Sequence, residues 1–443
     1  MRVTGINRIR DGRTAVRSHQ RSILHDFATL EVILGCIALL AIVATQLYGT
    51  LGAFIFLLAS ASIAALRPVD AGRDLMRFAP LIILPLLAIA STAWSDAPER
   101  SLRAGLQLFC TIVAAILVCR RLKPETLILI LFGAYCAMCM LAWSYVALGR
   151  MTVGLFGSKN QMGFAAQMLL ALSLAVVVDR RQPKAARFAT ILAVPLSLFL
   201  LIVIQSAGAR MSAAVTLITF PAFMIFARVK LPSRLGFMIA TLALTGLALA
   251  FLPEVEAAWG DFRQNVLKKD GTLTGRTYLW DFADRLADER PLLGRGYYAF
   301  WRQGNVDAEG LWRWAGIGSR SGFNFHNALV EIRVDLGWIG VAVLLLTCAG
   351  IATAGIYRQV TRPSVSMAFL LSLTIAIYIR SYAESGIVYP FGTWTLLLIA
   401  TAVYAFAPNE SNPESELNAL RYYSLTSRSR KFIARRFKSR NTS

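Results

Sequence analysis

The sequence predicts an all-α fold, a polytopic transmembrane bundle of about twelve spans with one large loop on its outer face. Three observations predict it. The 443 residues are 56% hydrophobic and only 16% charged. The apolar residues come in blocks of roughly 17–24, the length a helix needs to cross a hydrocarbon core of about 30 Å. Lysine and arginine crowd into alternate connections between those blocks, the bias of a chain threaded through a bilayer. In lipid every backbone N–H and C=O must be satisfied within the segment, so the blocks are helices.

In chain order, residues 1–29 form a basic tail. It has no small-residue cleavage site behind a short apolar core, so the first block is expected to stay as a span. Nine spans follow within 30–253: 30–48, 49–66, 78–95, 104–119, 125–148, 161–178, 188–205, 211–227 and 236–253. A polar loop occupies 254–327, and three further spans, 328–356, 364–383 and 387–406, lead to a basic tail at 407–443. The block at 328–356 is longer than a bilayer requires, so its first part is expected to project from the membrane.

Charge sets the orientation. With the N-terminus inside, 29 of the 46 lysines and arginines fall on the inner side, against 6 in the short outer connections. The rest lie in the 254–327 loop and its helical exit, which do not count because long loops cross regardless of charge. Both tails are therefore expected in the cytoplasm and the loop in the periplasm, in a bacterial inner membrane. The net charge of +21 follows largely from this bias and does not point to nucleic acid. The C-terminal tail, basic with apolar residues between, suits anionic inner-leaflet lipid.

Several chemistries lack their residues. There is no Gly-x-x-x-x-Gly-Lys-Ser/Thr loop for ATP, no His-Glu-x-x-His metal pattern and no Asp-x-Asp pair, and the Cys136–Cys139 pair shares an apolar helix face with no His or acid nearby to complete a metal site. No cofactor or metal is expected. The six cysteines, Cys36, Cys110, Cys119, Cys136, Cys139 and Cys348, all fall in or beside spans and read as packing residues. No internal repeat of the transporter kind is evident. A reaction here would draw on a substrate that is already activated.

The loop contains one readable helix, with Leu279, Phe282, Ala283 and Leu286 on an apolar face. Thr272 or Thr274 can cap it and Pro291 ends it. Arg276 then sits in its first turn, where free N–H groups and the positive dipole end favour an anion; a solvated surface arginine is the alternative. Tyr297, Tyr298, Trp301, Trp312 and Trp314 suit either sugar faces or the headgroup region. His326 opens the stretch His326-Asn327-Ala-Leu-Val-Glu331 at the mouth of a span, and the other two histidines, His19 and His25, lie in the N-terminal tail. Arg210 stands between two spans, near the hydrocarbon edge, where it either serves a ligand or reaches to headgroup phosphate. Lys159 and Asn160 form a second small outer site; Arg380 and Glu384 form a third and are spaced to pair with each other. Arg210, Arg276, Lys159 and Arg380 are thus cations on the side of His326, and a lipid diphosphate is the multianionic ligand an outer leaflet offers.

These residues fall in an ordered set: Trp94-Ser95-Asp96; Gly154-Leu-Phe-Gly-Ser-Lys159-Asn160-Gln-Met-Gly163; Ser206-Ala-Gly-Ala-Arg210; Gly275-Arg276 with Trp280; Pro291-Leu-Leu-Gly294-Arg-Gly296; and His326-Asn327 with Glu331, Gly337 and Gly340. In this order they resemble the O-antigen ligase/polymerase superfamily of bacterial envelope proteins over about residues 80–400. The resemblance implies metal-independent glycosyl transfer from an undecaprenyl-diphosphate-linked oligosaccharide at the periplasmic face. It implies a diphosphate site lined by Arg210, Arg276 and His326, to which the charge reading above adds Lys159 and Arg380 as cations of the same face. His326 is then a general base or a phosphate ligand, Glu331 a second base or a partner to the arginines, and Asn160, Asn327, Trp280 and Glu384 supporting residues. The family often reads Ser-Arg-Gly where this chain has Ser206-Ala-Gly-Ala-Arg210, so the arginine is displaced. The Lys159-Asn160 form resembles the exopolysaccharide-polymerase branch, which favours a polymerase over a ligase. A transporter of lipid-linked sugars is the rival of a different class. The partners implied are the lipid-linked oligosaccharide, inner-membrane lipids, and as candidates a chain-length regulator and a flippase for the lipid-linked repeat.

Overall fold

The computed structural model describes residues 29–149, 156, 158–204, 206–230, 232–234, 236 and 275–406. Both basic tails but for Thr29, the expected span at 236–253 but for its first residue, and the start of the loop with Thr272 and Thr274 lie outside those residues.

Among the described residues every regular element is helical. In chain order they are α1 (Thr29–Tyr48), α2 (Thr50–Leu66), α3 (Pro68–Arg77), α4 (Ile83–Ala90), α5 (Pro98–Arg121), α6 (Pro124–Ala147), α7 (Lys159–Val178), α8 (Lys184–Ile204), α9 (Ala207–Phe226), α10 (Arg276–Asp288), α11 (Val306–Trp314), α12 (Ala328–Thr361), α13 (Val365–Ser381) and α14 (Thr393–Ala405). Seven of these are long and apolar enough to cross a membrane, or eight if α2 and α3, bent by 109°, form one broken span. The stretch Ala79–Ala93, α13 and α14 are apolar but shorter. The chain is a multi-pass membrane protein.

Local sequence explains the element ends. Ser158, Ser206, Asn327 and Ser364 each accept a backbone N–H at a helix start, satisfying donors that the helix leaves free. Pro68 forces the Arg67 backbone out of the helical region and breaks α2 from α3. The start of α10 departs from expectation. Its cap is not a threonine but Gly275, in a left-handed conformation at φ 79°. A Cβ there would lie 2.6 Å from the Trp314 ring, so only glycine fits the turn.

The loop helices enclose their own small core, in which Leu279, Ala283, Leu286, Phe300, Leu311, Trp312, Phe325 and Val334 are buried. Trp312 and Tyr297 are among the largest fully buried side chains. Both are packing residues, not the sugar platforms or interfacial anchors their type suggests: Trp312 fills the volume between α10 and α11, and Tyr297 is buried in the core of the bundle, where its N–H donates to Ser91 Oγ at 3.0 Å. Trp314 stays exposed.

Helix α12 belongs to two environments. Its backbone breaks at Gly337, at φ 63° and ψ −163°. Residues 328–336, before the break, pack with the loop, and Arg333 bridges Asp284 and Asp288 of α10 at 2.6 Å each. The apolar stem that follows the break is the part that can cross a membrane. The break itself is pinned by the glycine turn after Pro291. Arg295 N–H donates to the Val334 carbonyl at 2.9 Å, Gly296 N–H to Asp335 at 2.8 Å and Trp338 N–H to Pro291 at 2.8 Å.

The Trp94-Ser95-Asp96 triplet clamps the same turn from the other side. The Trp94 indole donates to the Leu293 carbonyl at 2.9 Å. Asp96 pairs with Arg290 at 2.9 Å and accepts from Arg295 at 3.0 Å, and its N–H donates to the Arg295 carbonyl at 2.9 Å. Two motifs some two hundred residues apart in sequence thus form one joint that seats the loop on the bundle.

Candidate active site

Segments far apart in sequence meet beside that joint, and Glu384, in the turn after α13, is their hub. Asn160, in the first turn of α7, donates its amide to Glu384 Oε1 at 2.7 Å. The Asn160 side-chain carbonyl accepts from Ser206 Oγ at 3.1 Å, and its backbone carbonyl accepts from Arg380 Nη2 at 3.2 Å. Gly163 makes this possible. A Cβ on it would lie 2.8 Å from the Ser206 Cβ, so glycine lets α7 and α9 close to the distance the Asn160–Ser206 bond requires. The Lys159-Asn160-Gln-Met-Gly163 pattern is therefore a hub residue plus the space to seat it.

From the loop, Arg276 reaches Glu384 Oε1 at 4.0 Å and His326 Nδ1 lies 3.7 Å from Glu384 Oε2. The second separation is ion-pair range, longer than a hydrogen bond. Arg380 is 3% exposed. Its guanidinium stands 4.9 Å over Trp394 and 6.0 Å from Phe164, geometry that compensates part of its desolvation. Among the described residues its Nε and Nη1 have no hydrogen-bond partner, and neither has His326 Nδ1. Burial pushes the Glu384 carboxyl up, but His326 and the charges of Arg380 and Arg276 more than offset this and hold it below the ordinary carboxylate range. Glu384 is an anion that gathers cations.

His326 is held in a strained backbone at φ 54°, a region that non-glycine residues seldom adopt. Three contacts impose it. Asn324 Oδ1 accepts the His326 N–H at 2.8 Å. Asn327 caps α12 immediately after it. Glu331 Oε2 accepts the Phe325 N–H at 2.8 Å, with Ser385 Oγ at 3.3 Å. Trp280 adds its indole N–H to the Phe325 carbonyl at 2.9 Å and packs edge-on to Tyr382.

The structure therefore gathers Arg276, His326, Arg380, Glu384 and Asn160, with Trp280, Asn327 and Glu331 supporting the His326 backbone. Two candidates stand elsewhere. Arg210 is exposed and donates to the carbonyls of Leu201 at 3.0 Å and Ile202 at 2.9 Å. It caps the end of α8, whose last carbonyls have no partner within the helix. Lys159, one residue before the hub asparagine, is also exposed. Arg380 and Glu384 do not form the direct pair that their spacing suggests, because Arg380 turns to the Asn160 carbonyl and the aromatic rings. Glu331 reaches no arginine among the described residues and acts on the backbone before His326. Sequence reasoning gives no role to Ser206, which it names only within a motif, and does not single out Asn324 or Ser385. Ser206 and Ser385 flank residues already singled out, but polar side chains of this size carry no pattern of their own.

Glu331 gives a pH prediction. Burial of its carboxyl end pushes it up from 4.5 to about 7, against the lowering effect of the Phe325 and Ser385 hydrogen bonds. Asp335 is raised as well, by burial and by Glu331. A raised carboxyl favours the folded state while protonated, and that stability declines as pH rises from about 4.5 through about 7. The thermal midpoint of the wild type is expected to fall across this window. Glu331→Gln, which keeps an acceptor but no charge, should flatten the profile, and an unchanged slope would refute the assignment.

The chain is similar to known proteins over most of its length. A family described as O-antigen ligase matches residues 192–345, which include Arg276, His326 and Glu331. The chain is 31% identical over 334 residues to the exopolysaccharide production protein ExoQ of Rhizobium meliloti (strain 1021), covering 72% of this chain and 74% of that protein.

Proposed function

This chain belongs to the O-antigen ligase/polymerase superfamily, and from that premise we propose that it polymerises undecaprenyl-diphosphate-linked repeat units at the periplasmic face of the inner membrane. The observation that carries the reading is the convergence of Arg276, Arg380 and His326 on Glu384, with buried donor nitrogens that have no partner among the described residues. Guanidinium donors with no partner suit the oxygens of a diphosphate.

In this reading the hydroxyl oxygen of one lipid-linked unit attacks the anomeric carbon of another. The bond from that carbon to the diphosphate oxygen breaks, and undecaprenyl diphosphate leaves with the electron pair. Arg276 and Arg380 stabilise the charge that develops on it. His326 takes the hydroxyl proton. Glu384 beside Nδ1 orients the ring and stabilises the imidazolium that forms, leaving Nε2 to accept. The strained backbone at His326 fixes the imidazole where a relaxed turn would let it wander.

Purified protein given only a defined lipid-linked repeat is the test. The wild type should make a ladder of products, and His326→Ala and Arg276→Ala should each lose on the order of a hundredfold or more in rate while inserting normally. Full activity in both variants would overturn the site. The matched family description, O-antigen ligase, favours a second reading, in which preformed glycan is moved once to another acceptor. A single larger product that appears only when that acceptor is added would identify it. Absence of any new glycosidic bond would return the transporter reading.

A further inference from the structure

At the opposite end of the bundle from Glu384 lies a second polar centre that the reaction does not use. A cavity of about 510 Å³ opens where α1 begins, α5 ends and α3 lies bent across the end of α2. Five arginines line it, Arg67, Arg73, Arg77, Arg120 and Arg121, with three carboxylates, Glu31, Asp70 and Asp74. All three carboxylates are engaged by arginines of the cavity. Arg120 and Arg121 hold Asp74 at 2.8 and 2.7 Å. Arg67 and Arg121 approach Glu31 at 3.1 and 3.4 Å. Arg73 lies 3.5 Å from Asp70. Among the described residues its lining keeps a surplus of two positive charges.

The arrangement is built rather than incidental. The Arg121 side chain is only 10% exposed, yet its Nη2 has no hydrogen-bond partner among the described residues. A buried donor left open beside a cavity is costly unless something fills it. Helix α3 adds a second observation. Its polar residues Asp70, Arg73, Asp74 and Arg77 repeat at helical spacing, and the 109° bend from α2 turns it away from the direction of that apolar helix. Such a helix suits the plane of a membrane surface, which would bring headgroups to the cavity mouth. Guanidinium groups around a pocket between membrane helices recognise phosphate oxygens.

We propose that this cavity binds a phosphate-bearing anion, supplied either by the headgroup of an anionic lipid or by free phosphate. Arg120 and Arg121, tied to Asp74, form its floor. Arg73, 72% exposed at its side chain, and Arg77 form its rim on α3.

Full-length protein, stripped of lipid in a neutral detergent, is the material for the test. Its thermal midpoint is followed while dioleoyl phosphatidylglycerol, dioleoyl phosphatidylcholine or inorganic phosphate is added. Phosphatidylglycerol should raise the midpoint and phosphatidylcholine should not. In Arg73→Gln/Arg77→Gln the half-saturating concentration should rise about tenfold or more, whereas Arg103→Gln/Arg313→Gln, outside the cavity, should match the wild type. An equal shift with inorganic phosphate would identify the free ion as sufficient; a shift with phosphatidylglycerol alone would identify the lipid. Equal stabilisation by both lipids, or equal weakening in both double variants, would overturn the proposal. The outcome is independent of whether the Glu384 centre transfers glycans.

Discussion

Glu384→Ala is expected to abolish product formation, a loss of at least about a hundredfold in rate, while the protein still inserts. The residue bears on three neighbours at once: the Asn160 amide at 2.7 Å, His326 Nδ1 at 3.7 Å and Arg276 at 4.0 Å. Its charge also offsets that of Arg380, 3% exposed. Removing one member of a fully buried charge pair costs about 3–5 kcal/mol, because the remaining charge is left uncompensated; here the cost is smaller, since Arg276, Glu384 and His326 are partly exposed. Here the remainder is two guanidinium groups and an imidazole. They would separate or draw in water, and the spacing that suits a diphosphate would be lost. Glu384→Gln separates the roles. It keeps the shape and an acceptor for Asn160 but removes the charge that stabilises the imidazolium. Its activity should therefore fall even where its thermal midpoint stays near that of the wild type. Measuring rate and midpoint together decides the matter: an alanine variant with normal rate would remove Glu384 from the site.

The second large effect belongs to Gly337→Ala. At φ 63° and ψ −163° the backbone occupies a region essentially reserved for glycine. An added Cβ would overlap the carbonyl carbon and oxygen of Leu292, backbone atoms that the Trp338-to-Pro291 bond and the Trp94 and Asp96 contacts hold in place. Strain and overlap together should cost about 3 kcal/mol or more. The consequence extends to function, because the same joint carries residues 324–331 and with them His326. The variant should give little folded protein, read as low yield and a lowered thermal midpoint. Gly350→Ala on the same helix is the control. Nothing lies within 4 Å of its would-be Cβ, so it should be neutral or slightly stabilising. Equal behaviour of the two variants would mean that the break at Gly337 does not hold the loop.

Much of the candidate site is legible in the sequence, through residues that stand out chemically. His326 is conspicuous as an imidazole at the mouth of an apolar block, and Arg276 as a cation in the first turn of an amphipathic helix. Arg380 and Glu384 are charges beside long apolar segments, where charge is costly. What those residues touch is less legible. Arg210 is as suited by type to an anion as Arg276 is, yet its guanidinium turns back to the end of α8. Arg380 and Glu384, spaced to pair, instead share Asn160 as an intermediary. Trp312 and Tyr297, suited by type to sugars, lie in the core.

By itself the sequence determined the helical, membrane-crossing character of this protein and which charged side chains would need a reason to exist. Both are local properties: hydrophobicity summed over a span's length, and the cost of a charge next to lipid. Only the tertiary structure decided which of those charges meet, that Glu384 is the centre they share, and that Trp94-Ser95-Asp96 locks the turn at Gly294 against the break at Gly337. Such choices turn on ångström-scale approach between helices far apart in the chain, and on which carbonyls each helix end leaves free, and no window of sequence contains both partners.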